Sequence, residues 1–369
     1  MIPVNTPLLN GNEKKYLTQC IESGWISSEG PFVKRFEEEF SSYIGRGYGI
    51  AVANGSAALD IAVRALHLDT GSEVIMPTFT IISPAQSLIN EGLVPVFVDS
   101  DPDTWNMDVK QIEAKITSKT KAILIVHIYG LPVDMQPVIE LANRYNLKII
   151  EDAAEMHGQT YYDKKCGSFG DISIFSFYPN KHITTGEGGM VLTDDESLAN
   201  ECRKYRNLCF NANRRFVHYE LGWNYRMTNM QAALGVAQLE QIDWIVKRKR
   251  EIGVRYTSNL AGVKNLKLPV SETKFAKNIY WVYGIIAKDE SIARKIQLGL
   301  HDKKIGTRPF FWCMHQQPVF NNINLFLDES HPNAEKMART GFYIPSGIAL
   351  TNDEIDMVSE EILKMDNAQ

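Results

Sequence analysis

The sequence predicts an α/β architecture, a large doubly wound domain followed by a smaller α+β one. Three observations carry that reading. Short β-branched runs alternate with amphipathic stretches through the first two-thirds of the chain. The alternation weakens beyond about residue 250. The 369 residues, 44% of them hydrophobic, are enough for a large core and more than one domain.

In chain order, the first element is a helix on which Phe32, Phe36, Phe40 and Tyr43 recur at helical spacing within a charged segment. We read that stripe as core. Asn54-Gly55-Ser56 then leads a helix over 57–66, and Asp134 leads another over 135–145, each with a capping side chain. Strands are expected at 73–76, 94–98, 122–128, 147–150, 172–177 and 189–193. Segment 229–250, with Met230, Leu234, Ala237 and Ile242, predicts one long helix leaving the large domain, its run Lys247-Arg248-Lys249-Arg250 a solvated end. A strand at 279–286, a helical stretch near 289–300 and a final helix from Asn352 follow. The expected domains are 1–245, which includes an N-terminal arm, and 246–369.

Bulk properties exclude several classes. Lys and Arg total 39 against 44 Asp and Glu, so the net charge of −5 leaves no basic footprint for nucleic acid. Cys20, Cys166, Cys202, Cys209 and Cys313 are odd in number and include no Cys-x-x-Cys pair. That pattern argues against a disulfide framework or a zinc knuckle and for reduced thiols in a cytoplasm, and no metal site is expected. The Met-Ile-Pro-Val-Asn start has no signal-peptide character, and the apolar run at 122–128 is too short to span a bilayer. A soluble, unprocessed protein with no membrane partner is expected.

The chemistry concentrates in Ser176-Phe177-Tyr178-Pro179-Asn180-Lys181-His182-Ile183-Thr184-Thr185-Gly186-Glu187-Gly188-Gly189-Met190, between two expected strands. Strand ends are where α/β sites are built. Asp152 follows the strand Leu147-Lys148-Ile149-Ile150, which sets its carboxylate at a strand's C-terminal end; alone, such an Asp is as readily a helix cap. Asn54-Gly55-Ser56-Ala57 reads as a turn feeding a helix N-terminus, whose amides and positive dipole end suit a phosphate.

The pattern Ser-Phe-x-x-x-Lys-x-Ile-Thr-Thr-Gly-Glu-Gly-Gly resembles the lysine motif of the DegT/DnrJ/EryC1/StrS family of nucleotide-sugar aminotransferases, most of all its GDP-perosamine synthase branch. The likeness extends from Ile2-Pro3-Val4 and Gly24-Trp25-Ile26-Ser27 through Glu151-Asp152-Ala153-Ala154-Glu155 to Gly222-Trp223-Asn224-Tyr225-Arg226-Met227 and Thr307-Arg308-Pro309. The resemblance implies the aspartate-aminotransferase fold (fold type I), its large domain built on a mainly parallel seven-stranded sheet. It also implies pyridoxal 5′-phosphate (PLP) as cofactor, and transfer of an amino group from L-glutamate to a keto-sugar nucleotide such as GDP-4-keto-6-deoxymannose. The setting would be surface polysaccharide, a capsule or lipopolysaccharide.

By the same resemblance Lys181 is the Schiff-base lysine and proton shuttle. Relatives with histidine at that position catalyse dehydration; here the histidine, His182, stands one place later, which implies transamination. Asp152 pairs with the pyridinium nitrogen, and Glu155 meets the ring's phenolic oxygen. Ser56, with the Ser56 and Ala57 amides and the Ser176 hydroxyl, meets the phosphate. Asn224 belongs to the site of a neighbouring subunit, so a homodimer with shared active sites is implied. Ile81 stands where many relatives place an aromatic ring over the coenzyme, which forgoes part of a stacking contribution of roughly 0.5–1.5 kcal/mol.

Trp25, Ser27, His182, Arg308 and His315 lie on the substrate side of the matching relatives, although His315 reads equally well as a packed histidine. The stretch Phe310-Phe311-Trp312-Cys313-Met314-His315 departs from the usual Pro-x-His ending. With Ile81, it leaves a small phosphorylated ketone such as dihydroxyacetone phosphate open as an alternative acceptor. A reading of another class is a non-enzymatic PLP-binding regulator. Against it stand the missing DNA-binding segment and the full lysine, aspartate and phosphate set.

Overall fold

Strands rich in Val and Ile that are buried on both faces need helices on both sides. The computed structural model, which describes residues 1–211 and 213–367, is built that way. Helices α1 (Glu13–Ser23) and α2 (Pro31–Ile44) lead into β1 (Tyr48–Val52), α3 (Gly55–Ala65), β2 (Glu73–Pro77), α4 (Ile82–Asn90), β3 (Val94–Val98) and β4 (Thr120–Val126). Then come α5 (Met135–Tyr145), β5 (Lys148–Asp152), a hairpin of β6 (Thr160–Tyr161) and β7 (Lys164–Lys165), β8 (Ile172–Ser176), β9 (Gly189–Thr193), α6 (Glu196–Arg206), α7 (Asn229–Leu239) and α8 (Ile242–Asn259). The last third holds β10 (Leu266–Lys267), β11 (Tyr283–Ala287), α9 (Glu290–Asp302), β12 (Arg308–Pro309), α10 (Pro318–Asn321), α11 (Pro332–Thr340), β13 (Gly341–Ile344) and α12 (Asn352–Asn367).

The large sheet has seven strands in the order β1-β9-β8-β5-β4-β2-β3. Every neighbouring pair is parallel except those of β9, which runs antiparallel to β8 and β1. The mainly parallel sheet is therefore as expected. Sequence patterning missed β1, a short edge strand. The small sheet, β10-β11-β13-β12, is antiparallel throughout.

The aromatic stripe is core, as read. Phe36 and Phe40 are fully buried, and their rings lie 5.0 and 5.2 Å from that of Phe177, just beyond β8. A helix face laid down by sequence spacing thus braces the end of β8, from which the chain runs on to Lys181.

Three expectations are corrected. The long helix of 229–250 is two helices, because the chain turns at Glu240 and Gln241. Helix α7 is buried almost all round, whereas α8 buries one face, so one straight axis cannot serve both. At the turn the Glu240 carboxylate accepts the hydroxyl of Tyr16 at 2.6 Å and the amide of Asn12 at 2.6 Å.

The basic run is not a solvated end, since Lys249 is buried and donates to the carbonyl oxygens of Trp281, at 3.0 Å, and Ser346. The strand expected from residue 279 begins only at Tyr283, because Asn278 Oδ1 accepts the Tyr280 amide at 2.6 Å and Tyr280 sits at φ 49°. The resulting turn carries Trp281 inward.

Helix α8 crosses the expected boundary at 245/246. Its Ile242, Ile245 and Val246 pack in one core of the large sheet, and its Ile252 and Tyr256 in the smaller core. We propose the division within this helix. The N-terminal arm is held by the smaller part: Ile2 bridges to Ile305, and Val4 accepts the Ser346 amide at 3.0 Å.

Candidate active site

A cavity of about 600 Å³ opens where the parallel strands end. Val126 closes β4, Asp152 closes β5 and Ser176 closes β8, and all three line it. Helix α3 starts against its wall. Asn54 Oδ1 accepts the Ala57 amide at 2.8 Å and so caps the helix. A side-chain carbon on Gly55 would lie 2.7 Å from Ser176 Cβ, so only glycine lets the helix start approach β8 this closely. That approach brings Ser56 and Ser176 to one patch of the cavity, with the Ser56 hydroxyl 2.7 Å from that of Ser83. The expectation that the Ala57 amide serves a phosphate is corrected, since Asn54 already takes it.

Asp152 is buried, and Oδ1 accepts the Ala154 amide at 3.0 Å. Burial lifts its carboxyl to about 6, against the opposing pull of that amide and of Lys181. Glu155 accepts the Tyr129 amide at 2.6 Å, and burial pushes its carboxyl upward too. Burial lowers the amine of Lys181, while Glu155 and Asp152 raise it. Two carboxyls and one amine thus compete for protons in a poorly solvated space, the arrangement in which proton transfer is readily tuned.

The cavity fits PLP on this chain's own chemistry. Asp152 has no cation hydrogen-bonded to it among the described residues, Thr80 Oγ1 is buried without a partner, and two serine hydroxyls gather at a helix N-terminus. Lys181 would bond the coenzyme aldehyde, Asp152 would face its ring nitrogen, and Ser56 and Ser176 would hold its phosphate. Ile81 lines the same wall, half-exposed, where it can cover a ring.

The other expected residues divide. Arg308 lies in an adjoining pocket of about 320 Å³ that shares Tyr178, Asn180, Trp281 and Tyr343 with the main cavity. Trp25, Ser27 and Asn224 are exposed and do not line this chain's cavity. His182 lies behind Lys181, buried, its ring nitrogen 3.4 Å from the Ile279 carbonyl. His315 is buried between Thr78, at 2.7 Å, and Glu335, at 3.3 Å, so both ring nitrogens are engaged away from the cavity. For His182 and His315 direct substrate contact is therefore corrected to a packed role in this structure.

Sequence reasoning missed Trp281, Phe311 and Tyr343 in the wall, which come from beyond residue 278. Of these, Trp281 stands inside a run read simply as strand. One group with metal-competent side chains exists among the described residues, His127, Glu151 and Cys166. Its hydrogen bonds commit it otherwise. His127 Nδ1 accepts the Val133 amide at 3.0 Å, so Nε2 carries the proton it donates to Glu151, and burial holds the Cys166 thiol protonated. Among the described residues, no helix is long and apolar enough to cross a membrane.

A family model described as the DegT/DnrJ/EryC1/StrS aminotransferase family matches residues 7–363. The GDP-perosamine synthase of Escherichia coli O157:H7 is 42% identical over 361 residues, which cover 98% of this chain and 97% of that protein. The GDP-perosamine synthase of Vibrio cholerae is 39% identical over 357 residues, 96% of each chain. Among solved structures, the aminotransferase TlmJ from Streptoalloteichus hindustanus is similar with a TM-score of 0.92 at 27% identity, covering 99% of this chain and 98% of that one.

Proposed function

Because the chain belongs to the DegT/DnrJ/EryC1/StrS aminotransferase family, we propose that it transfers an amino group from L-glutamate to GDP-4-keto-6-deoxymannose, in the cytoplasm. It is a PLP-dependent aminotransferase of the aspartate-aminotransferase fold, acting on a nucleotide sugar in polysaccharide biosynthesis. The observation that carries the choice of acceptor is the near-full-length identity of 39–42% to GDP-perosamine synthases, together with Arg308 in the pocket beside the main cavity. An arginine held by no carboxylate among the described residues suits a diphosphate.

When bound, PLP supplies the electron sink for the pair left by a breaking C–H bond. The rest falls to the chain. Lys181 Nζ would take the proton from the substrate α-carbon and deliver it to the coenzyme carbon C4′, and the reverse in the second half of the reaction. Asp152, as a carboxylate, holds the ring nitrogen protonated. Glu155 shares a proton with the ring's phenolic oxygen, which its upward-shifted carboxyl favours. Ser56 and Ser176 would fix the phosphate, and Ile81 and Phe311 supply an apolar part of the cavity wall.

The test is to supply L-glutamate with either GDP-4-keto-6-deoxymannose or dihydroxyacetone phosphate and follow aminated product by mass. Product from the sugar nucleotide alone is expected. Product from the small ketone alone would replace the acceptor assignment.

We also propose a homodimer in which Asn224 completes the partner's site. Asn224 is exposed, pairs with Asn207 as an isolated bridge, and lies outside its own chain's cavity. Lys181→Ala and Asn224→Asp are each expected to be inactive, the latter because a carboxylate would face a phosphate. Mixed under subunit exchange they should regain activity, since one of the two sites in each heterodimer is intact. No recovery at verified exchange would make Asn224 a turn residue.

A further inference from the structure

Trp281 meets Lys181 on two sides. Its ring centroid lies 4.1 Å from Lys181 Nζ, and its indole N–H donates to the carbonyl of Asn180, the residue before the lysine, at 2.8 Å. Trp281 is nearly fully buried, yet it is among the residues that line the cavity. Among the described residues Lys181 Nζ makes no hydrogen bond or ion pair, so the indole face is its close polar contact.

Trp281 is itself held from behind. Its carbonyl accepts Lys249 Nζ, which also donates to Ser346, and Ser346 Oγ accepts the Tyr283 amide at 3.2 Å. Helix α8 thereby ties the turn before β11 to the segment after β13. A buried ammonium served only by carbonyl oxygens is costly, and burial lowers this amine to about 7.

We propose that Trp281 is a further catalytic residue, the surface on which Lys181 Nζ rests as an ammonium between proton transfers, and that Lys249 is the positioning residue that holds Trp281 there. This rests on Lys181 being the coenzyme lysine. An indole face attracts a desolvated cation but offers no lone pair that would retain its proton. A carboxylate at the same distance would attract the cation and compete for the proton. The indole N–H bond to Asn180 fixes the ring to the lysine's own backbone, so the amine keeps its place when it is neutral. The other ionisable groups around the amine are Asp152 and Glu155, which favour its charged form, and His157 and His182, which burial keeps neutral.

The test uses the full chain without coenzyme and reads Lys181 alone. Trace acetylation with acetic anhydride across pH, followed by peptide mass, gives the midpoint at which Lys181 becomes reactive. Trp281→Leu should move that midpoint down by about half a unit or more, whereas Trp281→Phe, which keeps a ring face, should stay near the parent. Lys249→Met should move it the same way by less, and Lys249→Gln, which keeps a donor, should restore most of the difference. If the methionine variant does not fold, Lys249→Leu and Lys249→Ala, which also lack a donor, are read in its place, and the same downward move is expected.

An unchanged midpoint in Trp281→Leu would overturn the role of Trp281. A Lys249 variant without a donor that melts earlier with an unmoved Lys181 midpoint would make Lys249 structural filling. The readout needs no turnover, so its failure is distinct from failure of the aminotransferase reading, which retained activity in Lys181→Ala would reveal.

Discussion

Lys181→Ala is expected to lower turnover by at least about a thousandfold while leaving the fold and its melting temperature essentially unchanged. The two halves of that expectation have separate grounds. The amine lines the cavity with Asp152 and Glu155, and no other lysine among the described residues does, so both coenzyme bonding and proton transfer lose their agent. The side chain makes no hydrogen bond or ion pair among the described residues, and its partial burial disfavours its charge, so its loss removes a cation–π contact and a desolvation cost that largely offset each other. Steady-state rates with glutamate and the keto-sugar nucleotide, beside a thermal melt, check both. Turnover near that of the parent would sink the assignment of Lys181; a collapsed melt would show that the lysine holds the fold.

The parts of this site that the sequence revealed are those laid down locally. Asp152 and Ser176 sit at strand ends and Ser56 at a helix start, places readable from an apolar run that stops or a cap that follows it. Lys181 lies in the segment after β8, and the roles of all four toward a coenzyme came from the family resemblance. Trp281, Phe311 and Tyr343 escaped because they enter the cavity from segments more than 100 residues after β8, where only long-range packing decides which way they face.

Lys249 escaped for a different reason. A charge satisfied by backbone carbonyls leaves no complementary residue in the sequence, so a basic run with one buried member reads like a solvated one. The turn at Glu240 and Gln241 holds neither glycine nor proline, and helical spacing continues through it. His315 matched a substrate-side segment, yet Thr78 and Glu335 engage its ring.

Asp152→Asn is expected to keep the coenzyme bound and to cut turnover by at least about a hundredfold. The amide is nearly isosteric and still offers an oxygen to the Ala154 N–H, so β5 and the turn after it should persist. What it cannot supply is the negative charge that keeps a ring nitrogen protonated, and the electron sink weakens accordingly. A loss below tenfold, about 1.4 kcal/mol of barrier, would reduce Asp152 to a cap.

Stability gives an independent reading. Without coenzyme, burial raises the Asp152 carboxyl to about 6, above its value of about 3.9 in an unfolded chain, so the native protein holds a proton that the unfolded chain has released. The stability from this group is therefore complete below about pH 4 and is lost as pH rises through about 6. Asparagine does not titrate. Urea midpoints of the coenzyme-free proteins should accordingly diverge in favour of Asp152→Asn as pH rises across that window. Coenzyme should narrow the gap, because the wild-type carboxylate then has its cation. Parallel profiles with and without coenzyme would mean that the carboxylate is neither strained in its absence nor paired in its presence.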